Sequence, residues 1–412
     1  MELFYPGKKN RNEILNMVNP CSFSKKWNSK RNLLIEGDNF SSMQSLLHEY
    51  SLKGKIDFIY IDPPFATNST FTIGDERVST ISSSKKDKIA YQDILIGESF
   101  IEFLRERLIL AYELLSEKGS FYLHIDYKIG HYVKIILDEI FGVENFKNDI
   151  TRIKCNPKNF TRRAYGNVKD LILFYTKSKN AIWHEPCEPF SEDDIKKLYK
   201  KVDKNGRLYT TIPLHAPGET KNGVTGGEFN GIKPPVGRHW RSDPKELEEL
   251  DKQGLIEWSA NGVPRKIIYA DEQKGKKIQD ILDFKDYQYP VYPTEKNLAL
   301  LKLLIQASSN QDSIVLDFFC GSGTTLIAAQ ELGRQWIGID KSNEAIKIVK
   351  KKLAYCQNEL FSSMEYDYLS LKPIIKNELS VANQSTTTTQ SIGAQCSTFR
   401  TVCSHKVVAV GL

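Results

Sequence analysis

Ile314-Val315-Leu316-Asp317-Phe318-Phe319-Cys320-Gly321-Ser322-Gly323-Thr324-Thr325 reads as a buried strand, a glycine turn and the start of a helix. Glycine lets a backbone approach a ligand closely, and a helix N-terminus presents N–H groups that have no partner within the helix. Taken alone, a GxG after a strand says little, because many tight strand–helix turns bind nothing. Asp340 strengthens it. This residue closes the next strand, Trp336–Ile339 within QWIGID, at the place where a carboxylate accepts hydrogen bonds from ribose hydroxyls. The dinucleotide pattern GxGxxG is not met, since Leu326 stands third after Gly323, and no GxxxxGK[ST] loop serves a triphosphate. An adenosine cofactor without a pyrophosphate fits better.

Outward from this segment the chain has three textures. Before it, from Asn32 to Thr176, short apolar runs alternate with helical patterns as βα units do. Strands are predicted at Asn32–Ile35, Ile56–Ile61, Ser120–Ile125 and Asp170–Thr176. Helices are predicted where Phe40, Met43, Leu46, Leu47 and Tyr50 share a face, over Ser99–Leu115 with Lys118-Gly119 at its end, and near Ile129–Ile140. From Lys177 to Tyr289 prolines, glycines and tryptophans are scattered with little period, which marks a separate irregular module. The βα pattern returns from Thr294, with helices at Leu298–Ala307, Thr325–Leu332 and Asn343–Ala354. The expected division is 1–31 extension, 32–176 first half, 177–289 insert, 290–375 second half and 376–412 a Ser/Thr/Gln-rich disordered tail.

The composition sets the class. A chain of 412 residues with 40% hydrophobic residues supports roughly two to three domains and a sizeable core. Its 57 basic against 51 acidic residues leave +6, too little to suggest nucleic acid by itself. No apolar run approaches the ~18 residues that span a bilayer, and the N-terminus lacks a signal-peptide core. Seven scattered cysteines without a CxxC pair suit free thiols in a reducing compartment. No histidine pair has ligand spacing, so no metal is expected. Cytoplasmic location and no membrane partner follow as expectations.

Past the apolar strand Ile56–Ile61 stands Asp62-Pro63-Pro64-Phe65. Two prolines stiffen the backbone and remove two N–H donors, leaving carbonyl acceptors; Asp62 adds a carboxylate and Phe65 a stacking face. That set suits a planar ring with an exocyclic amine. Acceptors on both amine hydrogens favour a pyramidal nitrogen whose lone pair is free. Asp-Pro turns are ordinary in isolation, but this one sits where open α/β sheets put ligands, in a chain that also carries FFCGSGTT.

Together these segments resemble the amino-methylating, S-adenosylmethionine-dependent DNA methyltransferases, and more narrowly the permuted β class, in which the catalytic motif precedes the cofactor motif. The resemblance covers most of Asn32–Tyr355. It implies a Rossmann-like, seven-stranded, mostly parallel α/β sheet with an inserted target-recognition domain at 177–289. It assigns catalysis to Asp62, Pro63, Pro64 and Phe65. It assigns cofactor binding to Asp38 in Gly37-Asp38-Asn39, to Thr294 and Lys296 in the counterpart of an HPT-x-K-P segment, to Asp317, Phe318, Phe319, Gly321, Ser322, Gly323 and Thr324, and to Asp340. The implied reaction moves a methyl group to the N6 amine of a flipped-out adenine in double-stranded DNA, since DPP-aromatic is the commoner adenine form. Cytosine N4 and an RNA base are the alternatives. The implied setting is a prokaryotic restriction-modification system, with a cognate restriction endonuclease and a second copy of the chain (a homodimer) as partners. A non-catalytic DNA-binding relative is disfavoured by the intact Asp62, Gly321, Gly323 and Asp340, and an NAD enzyme by the missing third glycine.

Ahead of Asp170 lies a basic stretch with Arg152, Lys154, Lys158, Arg162 and Arg163. Next to a DNA-acting site, phosphate contact is its expected role. His124 and His131 read as structural histidines.

Overall fold

Continuous apolar strands need cover on both faces, and the chain supplies it with two sets of helices. The computed structural model describes residues 2–17, 21–64, 70–73, 78–79, 88–92, 97–157, 161, 163–220, 223–288, 290, 295–359 and 365–373. Its centre is one sheet built from β1 (Cys21–Phe23), β2 (Asn32–Glu36), β3 (Ile56–Ile61), β4 (Leu115–Ile125), β5 (Phe146–Ile153), β6 (Lys169–Thr176), β7 (Ile281–Asp283), β8 (Ile314–Asp317), β9 (Gln335–Asp340) and β10 (Tyr366–Pro373). The spatial order is β1-β10-β2-β9-β8-β3-β4-β6-β5-β7. β10, β2, β9, β8, β3 and β4 run parallel; β6 is antiparallel to both β4 and β5, and β7 is parallel to β5. The sheet therefore has ten strands rather than the expected seven. The sequence predicts β2, β9, β8, β3, β4 and β6 individually; β5 and β7 extend the sheet at one edge and β1 and β10 at the other.

Side-chain alternation divides the core. Leu33 and Ile35 of β2 and Ile59 and Ile61 of β3 face α1 (Asn39–His48), α2 (Glu98–Leu114) and α3 (Tyr127–Phe141). Leu34, Phe58 and Tyr60 face the other way, onto α4 (Leu298–Ser308), α5 (Thr324–Glu331) and α6 (Asn343–Glu359). Burying seven such side chains at about 2 kcal/mol each fixes which face of each strand meets which helices.

β8 leads to β9 on one side, whereas β3 leads to β4 on the other. Strand order reverses between β8 and β3, and a crevice at such a reversal, at the carboxyl ends of the strands, is where open α/β sheets bind ligands. The glycine loop follows β8 and Asp62-Pro63-Pro64 follows β3, so the fold brings the two motifs to either side of one crevice.

Two local expectations change, at Lys118-Gly119 and at the end of the insert. The chain enters β4 at Leu115, so Lys118-Gly119 lies inside a strand rather than ending a helix. Part of the loop after Phe65 forms a three-stranded sheet of Thr70–Ile73, Val78–Ser79 and Lys88–Gln92. Ile281–Asp283 returns to the central sheet before residue 289. Between β6 and β7 stands an antiparallel sheet of Lys201–Val202, Leu208–Pro213, Pro264–Tyr269 and Ile256–Trp258, with a strand pair His215–Pro217 and Arg238–Trp240. It has its own small core of Leu214, Phe229, Trp240, Leu247 and Ile256. The segment 376–412 lies outside the described residues. Among the described residues no helix is long and apolar enough to cross a membrane.

Candidate active site

Asp62 follows the last residue of β3. Its Oδ2 is paired with the Lys296 ammonium at 2.6 Å, which reaches in from the segment before α4. Lys296 is buried, and Asp62 Oδ1 is a buried oxygen without a hydrogen-bond partner among the described residues. An unsatisfied buried carboxylate oxygen costs free energy unless a ligand donor completes it. Pro63 is buried and Pro64 half-buried beside it. Phe65 and Thr294 lie outside the described residues.

Tyr60, two residues earlier on β3, begins a buried polar chain that the sequence did not disclose. Its hydroxyl lies 2.8 Å from His124 Nδ1, and His124 Nε2 lies 3.1 Å from Asp170 Oδ2. Burial works against ionising Asp170, yet hydrogen bonds and charge from His124 and Lys154 hold its pKa well below the usual carboxylate range. Burial and then the nearby Lys296 ammonium push His124 down. An ionised carboxylate only accepts, so Nε2 carries the imidazole hydrogen and Nδ1 accepts from Tyr60. Asp170 also takes Arg152 Nη1 at 3.4 Å, and Arg152 reaches Asp286 at 2.5 Å and the Phe284 carbonyl at 2.8 Å. The polar chain thus runs from Tyr60 through His124, Asp170 and Arg152 to Asp286. Its one readable signal was a histidine inside an apolar strand.

Across the crevice the glycine loop is tightly determined. Gly321 and Gly323 have φ of 48° and 79°, and a Cβ on Gly323 would come within 2.9 Å of Val349 in α6. Gly323 also begins α5 without any side-chain cap, so N–H groups there are open to a ligand. Asp340 Oδ2 accepts from the Gly321 N–H at 2.9 Å and Oδ1 from the Ser342 N–H at 2.8 Å. Asp317 is buried; it accepts from Thr325 Oγ1 at 2.6 Å and the Phe319 N–H at 3.0 Å. Burial outweighs these bonds and raises its pKa to about 7. Ser322 accepts from Lys352, which also pairs with Glu295. Ser322 and Thr324 are buried with their hydroxyls 3.4 Å apart; Phe318 is wholly buried, and Phe319 leans on Phe103.

The Gly37-Asp38-Asn39 turn ties the halves together. Asp38 caps α1 through the Ser41 N–H and keeps an exposed carboxylate oxygen on Arg107 at 3.1 Å. Asn39 Nδ2 donates to the Phe318 carbonyl at 2.8 Å, and its Oδ1 accepts from Arg107 Nε. Arg107 is buried with its guanidinium 3.6 Å from the centre of the Phe103 ring. Two arginines, Arg105 and Arg107, within an otherwise apolar helical run were the sequence signal for it.

An acceptor-rich motif after β3 and a glycine loop with open N–H groups after β8 thus stand at either side of a strand-order reversal. The DNA methylase model for N6/N4 enzymes matches residues 56–351, which include both. The chain belongs to the N6/N4 DNA methylase family. It is 40% identical over 365 residues to the type II methyltransferase M.EcaI of Enterobacter cloacae, covering 85% of this chain and 77% of that one. It is 28% identical over 336 residues to the type II methyltransferase M.KpnI of Klebsiella pneumoniae, covering 72% and 76%. Over 367 residues it is 28% identical to the type III restriction-modification enzyme StyLTI Mod subunit of Salmonella typhimurium strain LT2. There it covers 80% of this chain and 54% of the relative, about half that protein's length.

For a DNA methylase the basic stretch before β6 needs correcting. Arg152 is fully buried within β5, spent on Asp170 and Asp286, and offers nothing to a phosphate. Lys154 is held 2.7 Å from Asp170. Lys158 and Arg162 lie outside the described residues, and Arg163 is exposed.

Proposed function

We propose that this DNA methyltransferase methylates the N6 amine of adenine in double-stranded DNA, as the modification activity of a restriction-modification system. The observation that carries it is the buried Oδ1 of Asp62, which has no hydrogen-bond partner among the described residues and stands just before Pro63 and Pro64 in the chain. The target amine cannot reach that oxygen while its base is stacked, so the base must be extruded. Asp62 Oδ1 then accepts one amine hydrogen and a proline carbonyl the other, with Phe65 as the stacking face. Lys296 fixes the orientation of the carboxylate through Oδ2. Holding the amine this way leaves its lone pair aimed into the crevice, and most of the acceleration comes from that orientation.

S-adenosylmethionine fits the residues opposite: a glycine loop at positive φ, uncapped N–H groups at α5, and the carboxylates of Asp340 and Asp38 for hydroxyl and amine donors. Asp317, Phe318, Phe319, Ser322 and Thr324 belong to that loop, and Lys296 stands on its Asp62 side. When bound, this cofactor supplies an electrophilic methyl group. The M.EcaI and StyLTI relatives support the restriction-modification setting; a cognate endonuclease and a dimer remain parts of the same proposal. Mass spectrometry of nucleosides from DNA treated with the protein tests the reading: N6-methyladenine is expected, and N4-methylcytosine alone would overturn the choice of base.

A further inference from the structure

A patch of uncompensated positive charge lies on the insert. Several of its cations are neutralised locally: Arg207 by Asp271 and Glu272, Lys201 by Glu257, and Lys276 by Asp194. Arg238, Arg241 and Arg265 have no carboxylate within ion-pair distance among the described residues, and they converge. Arg238 Nη1 donates to His215 Nδ1 at 3.1 Å. The Arg241 backbone N–H is bonded to the Leu214 carbonyl, one residue before His215. Arg265 is opposite Pro213 in the neighbouring sheet and is braced by the Thr211 hydroxyl and carbonyl at 2.9 and 2.8 Å. Arg238 and Arg241 are exposed, and Arg265 and His215 are half-buried. The nearby Glu219 accepts from the Gly237 N–H and forms no ion pair with these arginines. Glu257, opposite Arg265 on the adjacent strand, is shared with Lys201 and Tyr209, whereas Arg238 and Arg241 have no carboxylate paired with them among the described residues, and a polyanion supplies the missing counter-charge.

We propose that Arg238, Arg241 and Arg265, gathered around His215, form a clamp for the phosphate backbone of duplex DNA. The inference rests on the DNA reading above and locates backbone contact on the insert instead of on β5. Planar guanidinium groups bind phosphate oxygens two at a time, and such contacts position the protein without reading sequence.

His215 makes the clamp proton-linked. Because Arg238 donates to Nδ1, that nitrogen carries no hydrogen and the ring is neutral. Burial, and then the charges of Arg238, Arg241 and Arg265, push the imidazole below its ordinary value. A phosphate that draws Arg238 away frees Nδ1 and replaces repulsion by attraction, so the imidazole binds a proton as DNA docks. Affinity therefore rises as pH falls through the imidazole range.

Fluorescence anisotropy with a labelled duplex, over a series of salt concentrations and pH, tests the clamp in the full chain. Arg238→Gln with Arg241→Gln changes two exposed side chains and is not expected to alter the melting temperature or S-adenosylmethionine affinity. Its slope of log affinity against log salt is expected to flatten by about 0.9 for each arginine. Arg207→Gln, on the same insert, is expected to leave the slope unchanged, and His215→Gln to abolish the pH dependence. An unchanged slope in the double variant, with wild type still methylating DNA, overturns the clamp alone. A wild type that neither binds nor methylates duplex DNA overturns the reading beneath it as well.

Discussion

At the scale of single residues, the Asp62–Lys296 pair is the feature with the clearest energetic consequence. Both partners are largely buried, with side chains 17% and 10% exposed. Removing one partner of a buried pair leaves the other charge uncompensated, at a cost of about 3–5 kcal/mol, whereas removing both is far milder. Lys296→Met is therefore expected to lower the urea midpoint sharply, and Asp62→Asn with Lys296→Met to recover most of the loss. Equal midpoints for the single variant and wild type would leave Lys296 with a role toward the cofactor only. Asp317 gives a pH-dependent counterpart. Its folded pKa is raised by burial from the ordinary 3.8 to about 7. The folded state thus binds the proton more tightly, so this contribution to stability is complete below the ordinary value and disappears as pH rises through about 7. Asp317→Asn is expected to flatten the melting temperature between about pH 4 and pH 7. A slope equal to that of wild type would show that Asp317 is already ionised in the fold.

At the scale of elements, what the sequence disclosed followed local chemistry and what it hid followed distant partners. Ile56–Ile61 is a strand with the bounds its apolar run suggests, because burial on both faces leaves a legible pattern. The glycine turn before α5 was equally legible. β5 was not. FKNDITRI carries three charges, and Arg152 is buried only because Asp170 and Asp286, supplied by β6 and by the chain beyond β7, meet its guanidinium. The same blindness hid the Tyr60–His124–Asp170 chain, whose members lie on three strands, and the Lys296–Asp62 contact. The insert was readable as a change of texture but not as a sheet, because its strands are short and its core is small. That small core gives a prediction. Trp240 is fully buried against Phe229 and donates its indole N–H to the Gly227 carbonyl. Trp240→Ala is expected to cost about 3–5 kcal/mol locally. Because this core is distinct from those of the central sheet, hydrogen exchange should rise within Leu208–Tyr269 while the sheet stays protected and the cofactor still binds. Protection lost throughout would show one cooperative unit.

For the whole molecule, the order of strands couples the two ends of the chain. β2 has no neighbour from its own half: β10 flanks it on one side and β9 on the other. β8, with β9, separates it from β3, and Asn39 reaches from the turn after β2 to the Phe318 carbonyl after β8. A fragment ending within the insert therefore keeps β2 without a hydrogen-bonded partner and α1 without the sheet it covers. The complementary fragment keeps β8 and β9 with exposed outer edges, and exposed edges of apolar strands favour aggregation. The chain is expected to behave as an obligate pair of halves. Residues 1–222 and 223–412, expressed separately, should each fail to bind S-adenosylmethionine, because its proposed cradle draws on Asp38 from one half and on Lys296, Gly321, Gly323 and Asp340 from the other. Produced together in one cell, they should assemble through the interleaved strands and restore methylation of DNA. Isothermal titration on each fragment and on the assembled pair decides the matter. Cofactor binding by the second fragment alone would mean that the glycine loop is complete without α1 and the Asp38 turn, and that strand interleaving serves the fold rather than the site.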